Sequence, residues 1–393
     1  MTRFRPSRPL LKSAAVFALG AAALAPLAAP GAASAATSSA VAYTALGPRV
    51  AGAYTTSVGL VVGGRTVTLH SLPGPVGANQ APVGWVGRTG RQLLTASDDP
   101  KVPSRSWYAV IDTVRDRRLA KYACRDCDLG VAADSPGVIG GFTRGRNNST
   151  GTITRYDSLL RRVSTVAITG LPRTAHGITE TAVVTLAAVR SSGLVLFVPD
   201  PRGTSAYGGP DQVWTVGWNG VARRVRVESA NVGLGWPVLS SDGRHLAYVA
   251  GSRAGVCAES FVPHVLDLAT GRATSPAIPR GLRGSAEIFA SNLRFQGTSN
   301  LVFSWENAGP NGSWASDCPG SKRIVPNVYY WRAGHPVQRI AARSIDARTL
   351  PDHSSLTEPF VAPGKDGLGW TRLHLRGRVV GPAALEYTPL FVR

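Results

Sequence analysis

GWPVLSSDGRHLAYVA, residues 235–250, followed after a loop by PHVLDLATGRATSP, residues 263–276, is the stretch that decides the fold. Two short apolar runs, Trp236 to Ser240 and Leu246 to Ala250, are separated by Ser241-Asp242-Gly243-Arg244. A second pair, His264 to Leu268 and Arg272 to Ser275, is separated by Thr270-Gly271. Asp242-Gly243 and Thr270-Gly271 stand where a tight hairpin needs a residue that tolerates positive φ. The unit therefore predicts four antiparallel strands.

Weaker copies align on the turn before the second strand. They are Thr89-Gly90-Arg91-Gln92-Leu93, Ser135-Pro136-Gly137-Val138, Ser191-Ser192-Gly193-Leu194, Thr298-Ser299-Asn300-Leu301 and Lys365-Asp366-Gly367-Leu368. The first apolar residues after these turns, at 93, 138, 194, 246, 301 and 368, recur every 45 to 67 residues. The outer hairpin recurs too, at Val213 to Gly220 and at Val328 to Gly334, and Tyr43 to Pro73 supplies a further hairpin. Four antiparallel strands cannot bury both faces alone, so copies stack radially and close into a propeller. The expected fold is all-β, a β-propeller of four-stranded antiparallel blades. Seven blades are favoured, because the residues after the leader divided among seven match the spacing; six is the alternative. Either terminus can supply the closing strand, near Ala40 to Leu46 or near Leu385 to Val392.

Ser240-Ser241-Asp242-Gly243-Arg244 with Leu246-Ala247-Tyr248, then Val265-Leu266-Asp267-Leu268-Ala269-Thr270-Gly271, resembles the TolB-type (WD-repeat-like) propeller repeat. Ser241 stands where that consensus has Pro, and one unit carries the full motif. The resemblance implies a binding platform. Proteins with such propellers include periplasmic interaction partners of envelope complexes and non-catalytic domains of peptidases.

The first 35 residues read as a secretory signal. Arg3, Arg5, Arg8 and Lys12 precede the apolar run Ser13 to Leu27, and Ala33-Ser34-Ala35 supplies the small-x-small cleavage pattern. The expected division is thus a leader at 1–35 and one propeller at 36–393, secreted, with association with the cell envelope as a variant. No later apolar stretch is long enough to span a bilayer. Of 393 residues, 43 are Lys or Arg and 23 Asp or Glu, a formal charge of +20 that falls to +16 without the leader. Such a surface attracts polyanions. The arginines are scattered singly, however, and no zinc-finger, RNA-binding or helix-turn-helix signature is present, so specific nucleic-acid binding is not expected. With 44% hydrophobic and 17% charged residues the chain is not disordered, and four cysteines exclude a disulfide-dense scaffold.

Cys257 follows the second strand of its unit and Cys318 occupies the equivalent loop of the next, so a Cys257–Cys318 disulfide is expected across neighbouring blades. Cys124-Arg125-Asp126-Cys127 has no βαβ context and no second C-x-x-C, so it reads as a small structural disulfide before a redox pair or half a zinc site. Seven histidines are dispersed singly without a metal-binding spacing, and no metal or cofactor is expected. Gly203-Thr204-Ser205-Ala206-Tyr207 departs from the hydrolase elbow at its last position. Ser240-Ser241-Asp242-Gly243 lacks the sialidase spacing, and no catalytic residue is assigned. Paired carboxylates from distant blades would escape a sequence reading.

Long loops carry binding residues on rigid scaffolds. Two stand out, Asp200 to Gln212 and Glu306 to Lys322, and the second holds Asn307, Asn311, Trp314 and Asp317. An exposed Trp beside Asn and Asp stacks on a sugar or anchors a protein, whereas the plainer reading packs Trp314 on the expected disulfide. The functional expectation is a secreted, non-enzymatic propeller, a monomer, that binds a protein or an anionic polymer of the envelope. The alternative is a hydrolase or lyase acting on polysaccharide or another polyanion in the propeller funnel.

Overall fold

The computed structural model describes residues 41–50, 53–62, 65–73, 79–99, 101–102, 104–145, 151–172, 183–199, 210–229, 232–253, 259–282, 288–306, 324–349, 355–359, 371–380 and 386–391. Among them the regular structure is β apart from one 3-10 turn at Arg280–Leu282. The strands follow the chain as antiparallel meanders. Sheet 1 takes β1 (Val41–Val50), β2 (Ala53–Val62) and β3 (Arg65–Thr68). Sheet 2 takes β4 (Gln80–Trp85), β5 (Gln92–Asp98), β6 (Arg105–Asp112) and β7 (Arg117–Arg125). Sheet 3 takes β8 (Cys127–Val131), β9 (Ile139–Arg144), β10 (Gly151–Tyr156) and β11 (Arg162–Ala167). Sheet 4 takes β12 (Thr185–Arg190), β13 (Gly193–Val198), β14 (Gln212–Gly217) and β15 (Ala222–Val227). Sheet 5 takes β16 (Val232–Leu239), β17 (His245–Arg253), β18 (Glu259–Asp267) and β19 (Ala273–Thr274). Sheet 6 takes β20 (Ile288–Gln296), β21 (Asn300–Glu306), β22 (Asn327–Trp331) and β23 (Gln338–Ala341). Sheet 7 takes β24 (Ser344–Thr349), β25 (Ser355–Pro359), β26 (His374–Leu375) and β27 (Arg378–Val379). The last strand, β28 (Glu386–Phe391), returns to sheet 1, whose order is β28-β1-β2-β3.

First strands of consecutive sheets touch, β4 with β8, β8 with β12, β12 with β16 and β16 with β20, and β28 touches β4. They are the inner strands of a radial stack. Both chain ends close it, because Val41 pairs with Phe391 and Leu46 with Glu386. Sheets 5 and 6 are further joined by parallel pairing of Ser260 and Phe261 with Ile288 and Phe289.

The turn chemistry of the decisive unit is visible atom by atom. Asp242 accepts from the Ser240 hydroxyl at 2.5 Å and from the Arg244 amide at 3.0 Å, while Gly243 takes φ +68°. Asp267 accepts from the amides of Ala269 and Thr270 at 2.9 and 3.0 Å, and Gly271 takes φ +73°. Arg244 ties the two turns together through Asp267 at 3.0 Å.

One expected copy is misplaced. The second strand of sheet 7 is Ser355–Pro359, so its first apolar residue is Leu356, not Leu368. Lys365 to Trp370 fall between β25 and β26, outside the described residues. Lys365-Asp366-Gly367 has the composition of the repeat's turn but does not precede the second strand. Leu356 lies 55 residues after Leu301, which removes the outlying interval.

Apolar clusters fill the seams between consecutive sheets. Leu60 and Leu93 meet at seam 1/2, Tyr108 and Leu129 at 2/3, and Phe142 and Leu194 at 3/4. Phe197 and Tyr248 meet at 4/5, Val249 and Phe303 at 5/6, and Tyr43 and Leu356 at 7/1. Seam 6/7 differs. There Arg294 on β20 donates to Asp346 Oδ1 on β24 at 2.7 Å, and Arg348 donates to Asp346 Oδ2 at 2.5 Å. Arg294 also reaches the Ala347 carbonyl, and Asn292 Nδ2 donates to the Ile345 carbonyl at 3.2 Å. Asp346 and its cross-strand neighbour Glu358 are buried.

Candidate functional site

Inner strands of a propeller face its axis, so departures from regular β geometry there re-aim side chains toward what the axis holds. Register shifts interrupt β4, β12, β16, β20 and β24 where each pairs with its second strand. In β16 the shift lies between Gly235 and Val238 and contains Trp236 and Pro237. Proline cannot donate to a ladder, which makes this the place where the strand must depart from regular pairing. Trp236 takes φ +47°, a conformation that costs a bulky residue about 1–3 kcal/mol and persists where surrounding structure enforces it.

The indole is 57% exposed despite its size. Behind it Phe261 lies 6.3 Å away, centroid to centroid, tilted by 56°. Phe261 stacks on Phe289 at 5.1 Å with an interplanar angle of 19°. A Cβ at Gly251, directly across from Phe261, would run into that ring, so the glycine makes its room. The result is a graded aromatic platform at seam 5/6. An open indole face on rigid strands suits a sugar ring, an apolar side chain or a cation.

The buried ionisable groups at seams 4/5 and 6/7 serve the scaffold. Glu228, buried just after β15, accepts from Arg226 at 2.5 and 3.3 Å and from the Tyr248 hydroxyl, with His264 Nδ1 3.8 Å away. Burial pushes the Glu228 carboxyl up, but the bonds from Arg226 and Tyr248 outweigh it and the net pKa is below the ordinary range. Burial also pushes Tyr248 up and lowers His264, the latter only partly offset by Glu228, so the imidazole favours its neutral form. At seam 6/7 burial lowers both Arg294 and Arg348 while Asp346 works to restore them. These carboxylates are engaged by arginine or tyrosine. Among the described residues no group of His, Cys, Asp or Glu is arranged to hold a metal ion, and no helix is long and apolar enough to cross a membrane.

Of the residues singled out in sequence, Asp242, Gly243, Thr270 and Gly271 form the β16–β17 and β18–β19 turns of sheet 5. Cys124 and Cys127 are joined in a disulfide, with Cα atoms 6.0 Å apart, that spans the step from β7 to β8. Asp126 between them takes φ +56°. Asn307, Asn311, Trp314, Asp317, Cys257 and Cys318 lie outside the described residues, as do 1–35 and Gly203 to Tyr207. Trp236, Phe261 and Phe289 were missed as a site. Gly235-Trp236-Pro237 holds the signal, since a proline inside a strand marks a bulge.

No family model matches the sequence, and no curated protein matches it. Solved structures do resemble the fold. The β-propeller domain of the Trilobed protease from Pyrococcus furiosus, described as having an open velcro topology, superposes with a TM-score of 0.52 at 12% identity, covering 88% of this chain and 92% of that one. Pyrococcus horikoshii acylaminoacyl peptidase gives 0.53 at 10% identity, covering 87% of this chain and 50% of the other, so this chain spans half the peptidase's length. At such identities the likeness shows the fold, and the fold is a β-propeller of four-stranded antiparallel sheets.

Proposed function

We propose that this chain is a secreted propeller that binds an acidic polysaccharide of the cell envelope or its surroundings, without chemistry, by stacking sugar rings on Trp236. The observation that carries this is the exposed indole held at a strained φ in the bulge of an inner strand. The formal charge of +16 from residue 36 onward supplies the long-range attraction and the platform supplies the short-range contact. The signal-like leader supports secretion, and the repeat at Ser240 to Gly271 supports a TolB-type assignment.

The second reading is a hydrolase or lyase on the same class of polymer. It draws on the names of the structural neighbours, which are peptidases or the propeller of one. The buried carboxylates tied to arginine favour the first reading.

Co-sedimentation of the protein from residue 36 onward with envelope polysaccharide, across a salt series and with mass spectrometry of the supernatant, separates the two. Binding by charge alone fades as salt rises. The proposal expects a salt-resistant fraction that Trp236→Ala removes, with nothing released. Binding that disappears entirely in salt, or that Trp236→Ala leaves intact, refutes it. Released fragments would establish the enzymatic reading.

A further inference from the structure

Between sheets 1 and 2 lies a cavity of about 280 Å³, lined by Thr44, Thr56, Asn79, Gln80, Ser97 and Asp98 together with Ala81, Pro82 and Ala96. Ser97, on β5, is 1% exposed, and its hydroxyl has no hydrogen-bond partner. Buried polar groups are almost always satisfied. A buried, unpartnered hydroxyl in the wall of this cavity points to an occupant that completes it.

The lining sets a few hydroxyl and amide groups in a mostly apolar wall, which suits a ring with an apolar face and a hydroxylated edge. Thr56 Oγ1 accepts from the Gln80 amide at 2.7 Å, which leaves its own O–H to donate. Ser97 can donate or accept, and Asn79 and Gln80 offer both functions. Among the described residues no Lys or Arg lines the cavity, and the one formal charge among them, Asp98 at the exposed rim, repels anions while accepting from hydroxyls. A register shift between Pro82 and Gly84 bends β4 beside the opening.

We infer that this cavity is a subsite for one neutral, polyhydroxylated ring, a sugar unit without acid groups, separate from the Trp236 platform. The inference shares the saccharide class with the proposed function but stands on its own residues, on sheets 1 and 2 where the platform is on sheets 5 and 6.

Isothermal titration with glucose, galactose, N-acetylglucosamine and xylose, and with glucuronate as the charged control, tests it. Saturable binding of at least one neutral probe is expected, with glucuronate at least tenfold weaker. Ser97→Val, and independently Thr56→Val, each weaken that binding about tenfold, the consequence of deleting one buried hydrogen bond. Trp236→Ala leaves it unchanged, so failure of the platform and failure of the cavity read out separately. Two variants are used so that a folding defect in one does not decide the outcome. No saturation by any neutral probe, unaltered affinity in both valine variants, or equal binding of glucuronate overturns the inference.

Discussion

Asp346→Asn is the substitution that most directly tests how the ring is held at seam 6/7. Asp346 is 3% exposed and accepts from two guanidinium groups, Arg294 at 2.7 Å and Arg348 at 2.5 Å, whose side chains are 17% and 10% exposed. Asparagine keeps the shape, and one oxygen can still accept, but the charge is gone and the second oxygen becomes a donor facing a donor. Each lost charge-assisted bond is worth about 1.5–3 kcal/mol, and leaving buried charge uncompensated costs about 3–5 kcal/mol in comparable pairs. Glu358 across the strand retains one counter-charge, which sets the expectation at the lower end, about 3 kcal/mol. The other described seams each have an apolar cluster that seam 6/7 lacks, so no neighbouring cluster takes over the role. Urea unfolding followed by tryptophan fluorescence should show the transition moved to lower urea, with Arg294→Met combined with Asp346→Leu recovering much of the loss because both charges then leave together. A loss below about 1 kcal/mol in Asp346→Asn would refute the view that this cluster replaces an apolar seam.

Other substitutions probe separate parts of the molecule. Trp236→Gly should abolish salt-resistant polysaccharide binding while leaving unfolding unchanged or stabilised by about 1 kcal/mol, since glycine accepts φ +47° freely; a clear destabilisation in urea would contradict the strain assignment. His264 has a lowered pKa in the folded chain, so its contribution is fully present above the unfolded value of about 6.5 and is lost as pH falls below it. His264→Gln should flatten the stability profile as pH falls below about 6.5, before the carboxylates titrate, and a profile identical to the parent's would exclude the role. Gly271→Ala places a Cβ at φ +73° and 2.6 Å from the Val225 carbonyl oxygen, and should cost about 2 kcal/mol or more in the same urea assay. A cost under about 0.5 kcal/mol would show that the backbone there yields easily.

How far the sequence reached depends on which physics was local. The hairpins of sheet 5 were legible because Asp242-Gly243 and Thr270-Gly271 carry their own turn chemistry, and the spacing of residues 93, 138, 194, 246 and 301 follows directly from strand and turn lengths. Lys365-Asp366-Gly367 misled for the same reason: turn composition recurs away from the first hairpin of the repeat, and the true strand at Ser355–Pro359 has a weak pattern, SLTEP, with one large apolar residue. The partnership of Asp346 with Arg294 was hidden, because 52 residues separate them and the charges look like solvated surface in a linear reading. The cavity at Ser97 was hidden more deeply. Its walls come from Thr44, Thr56, Gln80 and Ser97, none unusual alone, and only the meeting of two sheets gives them a common space. Trp236 lay between these extremes, signalled by Pro237 yet read as one more strand residue.

Pairing of Val41 with Phe391 has a bearing on when this protein becomes a closed ring. Sheet 1 lacks its inner strand until the chain's final residues have emerged, so growth from the N-terminus can shape sheets 2 to 7 one after another while the ring stays open. Closure is then a single late event between segments nearly the whole sequence apart, the kind of contact that forms slowly. The same seam places the two ends of the folded unit next to each other. Joining them through a short linker and opening the chain at an exposed turn such as Arg332 to His335 would convert that late, long-range step into an early, local one, and the permuted chain should refold faster with its platform intact.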